Sequence, residues 1–171
     1  METRTHKDKV TAAFRALRKL GYVARQNFTC CSTCGSYELG EMVTDRGGDP
    51  DTAKVIWYHR QDAEAFANGR LTRNLLLRWN GDASEIKQAL EAQGLLVIHN
   101  GEASQCIAVA CYDSYTFRLA RRIVRGLNRR GRLPEGQNPD LDVIINEVAE
   151  GLVAAGLVGP STAQDAVRRI A

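Results

Sequence analysis

The spacing of apolar residues changes once along this chain, and the change limits what it can fold into. From Val10 to Tyr112, stretches of helical spacing alternate with short runs of β-branched and aromatic residues; beyond Tyr112 only helical spacing remains. Val10, Ala13, Phe14, Leu17 and Leu20 recur at i, i+3, i+4 and i+7, which predicts an amphipathic helix over residues 6–20 with Gly21 as its stop. Tyr22 to Phe28 reads as a strand running into a cysteine turn, and residues 35–52 as a short helix and a loop rich in turn formers. The stretch AKVIWYH at 53–59 is the clearest strand. A short helix over 61–68 ending at Gly69 and a partly alternating strand over 71–79 follow. Asp82 is placed to cap a helix with Ile86, Ala89 and Leu90 on its buried stripe, and Glu85 to reach back as in a capping box. Leu95 to Ile98 and Gln105 to Cys111 read as strands, and Asn100-Gly101 between them signals a type I′ hairpin.

This order predicts an α+β domain over residues 1–112, a mixed sheet of about five strands with covering helices on one face. Residues 113–171 are expected to form a C-terminal helical extension. It comprises a basic helix over 115–130 with Leu119, Ala120, Ile123, Val124 and Leu127 on its apolar side, a linker over 133–140, and a helix over 141–155. Gly159-Pro160 then breaks the chain, and Ser161 can cap a short terminal helix.

Charge and cysteine usage set the class. The N-terminal METRTHKDK is followed by no apolar core of a secretory signal, and no apolar run approaches the roughly 18–20 residues of a membrane span. A cytoplasmic location without membrane association is therefore expected. The five cysteines are an odd number, which argues against a disulfide framework and leaves reduced thiols, a metal site or a redox site. Arginine outnumbers lysine 18 to five, a bias that suggests a GC-rich genome such as that of an actinobacterium or one of its phages.

The segment Gly21-Tyr22-Val23-Ala24-Arg25-Gln26-Asn27-Phe28-Thr29-Cys30-Cys31, continued by Cys34-Gly35, carries a QNFTCC-x-x-CG motif, and Tyr58-His59-Arg60-Gln61-Asp62-Ala63-Glu64 a second one. Together they resemble an uncharacterised bacterial family known as a domain of unknown function. The resemblance covers roughly residues 8–112, implies an α+β domain, and brings no activity with it.

Cys31 and Cys34 have the C-x-x-C spacing that clamps zinc or forms a redox pair, and Cys30 stands four residues before Cys34. A closed zinc site needs a fourth ligand. Cys106 and Cys111 are five apart, so a regular strand puts them on opposite faces; one of them, or His59, can complete a site. The alternative is that these are thiols that only pack, since cysteine is commonly buried. His59 sits where the clearest strand gives way to a helix, and Asp62 is placed to N-cap that helix. A sharper reading joins a Cys30, Cys31 or Cys34 thiolate to His59 as base and Asp62 as orienter, although nothing in the spacing requires these groups to meet. His99 reads as an exposed strand-end residue, and His6 belongs to the charged N-terminal stretch.

Arg118, Arg121, Arg122, Arg125, Arg129, Arg130 and Arg132 form a run with no acidic residue among them. Such a face can be solvated, neutralised by Asp140, Asp142, Glu147 and Glu150 of the next helix, or used to bind an acidic protein or nucleic acid. No Walker loop, dinucleotide fingerprint, H-E-x-x-H or G-x-S-x-G is present. The leading expectation is a non-catalytic binding protein, acting on a host macromolecule if its source is a phage, whose tail binds a partner or forms a homodimer. The competing one is a thiol- or zinc-dependent protein centred on Cys30, Cys31 and Cys34.

Overall fold

A computed structural model describes residues 4–112, 114–130 and 141–158. The chain divides into two compact units, residues 1–110 and 111–171.

The first unit opens with α1 (His6–Lys19), whose Val10, Ala13, Phe14 and Leu17 are buried. Thr5 and Asp8 close a capping box at its start, and Gly21 adopts φ +88° just beyond its end. Leu20, expected on the apolar stripe, is half exposed at the C-cap. Strand β1 (Val23–Arg25) is shorter than predicted. Helix α2 (Ser32–Thr44) then starts at the cysteines themselves, three residues earlier than expected. Strand β2 (Val55–Trp57) lies parallel to β1; parallel neighbours need a crossover, and α2 lies within it.

Beyond β2 the chain makes a single helical turn, α3 (Arg60–Ala63). The predicted continuation of that helix to residue 68 is instead half of a hairpin, β3 (Phe66–Ala67) paired with β4 (Arg70–Leu71). Its two-residue loop is Asn68-Gly69, with φ of 49° and 77°, the doubly left-handed turn that matches strand twist. The Asn100-Gly101 signal works differently. Asn100 keeps a negative φ, its side chain accepts the Glu102 N–H at 3.0 Å, and it sits in a longer loop. That loop joins β6 (Val97–Ile98) to the antiparallel β7 (Ile107–Val109).

Strand β5 (Leu75–Asn80) and helix α4 (Ala83–Glu91) complete the unit. The five-stranded mixed sheet has the order β1-β2-β5-β7-β6, parallel only between β1 and β2. Asp82 caps α4 through Ser84 N–H at 2.7 Å. Glu85 does not reach back to complete a capping box. It accepts from Lys54 at 2.8 Å and from the Tyr22 hydroxyl at 3.0 Å, tying α4 to the ends of the neighbouring strands.

Helices cover both faces of the sheet, where one was expected. Side chains alternate along a strand, so Ile56 and Tyr58 face one way and Trp57 the other. Phe14 of α1 meets Tyr58 edge-on at 6.0 Å, whereas α2 lies against Trp57. Ile56, Trp57 and Tyr58 are all buried for that reason.

In the second unit, α5 (Ser114–Arg129) packs against α6 (Leu141–Ala154). Ala120 and Val124 of α5 and Ile145 and Ala149 of α6 are buried. Tyr112 stacks on Phe117 at 6.3 Å and bonds to Asn146. The predicted linker and terminal helix lie outside the described residues.

Candidate functional site

The cysteine turn is held at both ends before any cysteine is placed. Phe28 N–H donates to the Tyr58 carbonyl at 2.9 Å and Arg60 N–H to the Thr29 carbonyl at 3.1 Å, so the loop after β1 is fastened to the end of β2. Asn27 and Thr29 take left-handed φ values of 50° and 59°. For Thr29 this is costly, because a β-branched side chain crowds the backbone there. The Thr29 hydroxyl donates to the Cys31 carbonyl at 3.1 Å.

Cys31 is the N-cap of α2, with φ −151° and ψ 177°, and the Gly35 N–H donates to its carbonyl at 3.1 Å to open the helix. Gly35 fixes where that first turn sits. A Cβ at this position would fall 2.2 Å from the Trp57 ring, so only glycine lets the helix approach β2 this closely. Trp57 is itself held by Phe28 at 6.4 Å, edge-on, and by the Arg78 guanidinium 5.4 Å from a ring centroid. Leu39 and Val43 bury the same side of α2 as Gly35. Cys34, next to Gly35, is turned to solvent.

The result brings together the three cysteines that the motif singled out. The sulfurs of Cys30, Cys31 and Cys34 all lie within 4.8 Å of one another, and those of Cys30 and Cys31 are 3.8 Å apart. Thiolates about 2.3 Å from a tetrahedral zinc lie about 3.8 Å apart, the separation already found between Cys30 and Cys31. Cys30 and Cys34 are exposed and Cys31 half-buried, which leaves the group open to solvent.

The three thiols are not equivalent. The Cys31 sulfur makes no full capping hydrogen bond, yet the nearby Cys34 N–H and thiol, the Cys30 thiol and the Thr33 N–H favour its thiolate and lower its pKa. Cys34 moves the other way, pushed up to about 11 because its thiol is hydrogen-bonded to Cys30 and Cys31 and faces their charge. Among the described residues the group consists of these three cysteines alone. Cys106 is half-buried, and Cys111 is fully buried, its pKa raised to about 12 by burial and the Glu150 carboxylate.

His59, expected as a further ligand or base, is placed differently. It is the buried N-cap of α3, its Nδ1 accepting the Asp62 N–H at 3.2 Å. Its Nε2 lies 3.2 Å from Asp62 Oδ2, which also accepts from Arg78 and from the His59 N–H. Asp62 is therefore the reciprocal partner in a capping box and His59 the cap, the reverse of the predicted assignment. Both ring nitrogens are engaged with Asp62, and burial lowers the His59 pKa. Among the described residues no hydrogen bond joins His59 to Cys30, Cys31 or Cys34. His99 bonds locally to Gly101 and Glu102. His6, expected to belong to the charged N-terminal stretch, is half-buried and accepts the Leu71 N–H at 3.1 Å.

Of the seven arginines, Arg118, Arg121, Arg122, Arg125 and Arg129 line one open furrow on α5, enclosing about 280 Å³. Arg130 is exposed just past the helix, and Arg132 lies outside the described residues. No helix is long and apolar enough to cross a membrane among the described residues.

A family model described as Domain of unknown function (DUF6891) matches residues 1–114, in agreement with the resemblance noted from the motifs. No curated protein and no solved structure matches the chain.

Proposed function

The chain belongs to the DUF6891 family, and we propose that its first unit is a non-catalytic metal-binding module that holds zinc on Cys30, Cys31 and Cys34. The observation that carries this reading is the convergence of the three sulfurs within 4.8 Å. Soft thiolates select zinc and similar ions over magnesium or calcium. The N-terminus of the 13-residue α2 contributes a partial positive charge that offsets the accumulated negative charge of three thiolates. Three protein ligands leave one tetrahedral position for an outside donor. The module is thereby suited to handing over a metal or to docking a partner through it.

The test is a zinc titration of the full reduced chain against a chromophoric chelator. One ion per chain is expected, with affinity lost in Cys31→Ser and Cys34→Ser while circular dichroism is unchanged. Equal zinc affinity in wild type and both variants overturns the reading.

The place of Cys31 at the N-cap of α2, where the Cys34 N–H favours its thiolate, with the exposed Cys34 sulfur within 4.8 Å, supports a second use, thiol–disulfide exchange with Cys31 attacking and Cys34 resolving. Rapid mixed-disulfide formation confined to Cys31, in a chain that retains no zinc, would select it.

A further inference from the structure

We infer that the arginine face of α5 is a sequence-independent binding site for the phosphate backbone of a nucleic acid. The face lies beyond the residues that the family model matches and in a different unit from the thiol centre.

Arg118, Arg121, Arg122, Arg125 and Arg129 recur at i, i+3, i+4, i+7 and i+11, which gathers them on one side of the helix. They line a common furrow, and α5 turns its other side, with Ala120 and Val124 buried, away from it. No salt bridge joins any of the five to a carboxylate among the described residues. Glu147 and Glu150, expected as neutralisers on α6, form none with them. Asp140 and the side chain of Asp142 lie outside the described residues. Five guanidinium groups gathered with no carboxylate paired to them among the described residues repel one another, and a polyanion relieves that repulsion.

Two observations choose nucleic acid over an acidic protein. Protein interfaces are built round an apolar or aromatic centre. Among the described residues of the second unit, the exposed large apolar ones, Val143 and Leu157, are both outside α5. The second is spacing along the helix, since arginine's planar fork serves phosphate and carboxylate oxygens alike. From Arg118 to Arg129 the helix rises about 16 Å, a length over which one duplex strand presents about five phosphates. Such contacts position a protein on the backbone and carry no base information.

The experiment is an anisotropy titration of a labelled mixed-sequence DNA duplex with the full chain, repeated with Arg121→Gln/Arg125→Gln. Five phosphate contacts predict that affinity falls about 500-fold between 50 and 200 mM salt. Removing two contacts should reduce the log–log salt slope by about 1.8, with helix content unchanged by circular dichroism. Polyglutamate binding as tightly as DNA would assign the face to an acidic protein and overturn the inference. A salt slope unaltered in the variant, or no binding at the lower salt concentration, overturns it equally.

Discussion

At Gly35 the helix that carries the cysteines touches the sheet, and the contact leaves no room for a methyl group. The alanine Cβ would stand 2.2 Å from a Trp57 ring that Phe28 and Arg78 hold in place. Gly35→Ala should therefore lower stability by about 1–3 kcal/mol, as overpacked substitutions do. Gly40, one turn and a half further along α2, has nothing within 4 Å of its would-be Cβ. Gly40→Ala should raise stability by roughly 0.5–1 kcal/mol through helix propensity. Urea unfolding of the two variants checks the pair; equal effects would mean that the Gly35–Trp57 approach does not set the helix position. The cysteine spacing was legible in the sequence because ligand spacing is a local property. The role of Gly35 was not, because it depends on which ring the sheet places beneath it.

Among the elements, those that rest on local pattern were legible, and those that rest on tertiary contacts were not. The stripe of α1 and the Asp82 cap came directly from spacing and cap chemistry. The β3–β4 hairpin was missed although Asn68-Gly69 is its turn, because strands of two residues give no alternation to read. Glu85 fits a capping box by position, but Lys54 and Tyr22 arrive from other strands and take its carboxylate.

His6 shows what such a long-range contact does. Burial and the nearby charges of Lys9 and Arg70 lower its pKa from 6.5 to about 4, and only its neutral ring can accept the Leu71 N–H. Folding therefore favours the unprotonated form. The contribution is complete above about pH 6.5 and is lost progressively as pH falls toward 4, where the unfolded chain binds the proton first. The wild type should lose stability across that interval relative to His6→Gln, whose side-chain carbonyl can still accept. Urea midpoints measured at several pH values test this, and parallel profiles for the two proteins would contradict it.

On the scale of the whole molecule, the alternation of helix and strand patterns up to Tyr112 was enough to indicate an α+β unit followed by helices. The pairing order was not legible, since β1-β2-β5-β7-β6 brings together strands far apart in sequence. Nor was the covering of both sheet faces, which follows from Trp57 and Tyr58 pointing oppositely and each meeting a different helix. The two candidate sites fall in different units, the thiols within residues 1–110 and the arginines within 111–171. Metal binding and polyanion binding are thus expected to be separable: Cys31→Ser should leave the DNA salt slope unchanged. X-ray absorption at the zinc edge of the stoichiometrically loaded chain tests the trithiolate site. Three sulfur neighbours at about 2.3 Å with one oxygen or nitrogen are expected. A shell of oxygen and nitrogen alone would contradict the trithiolate centre.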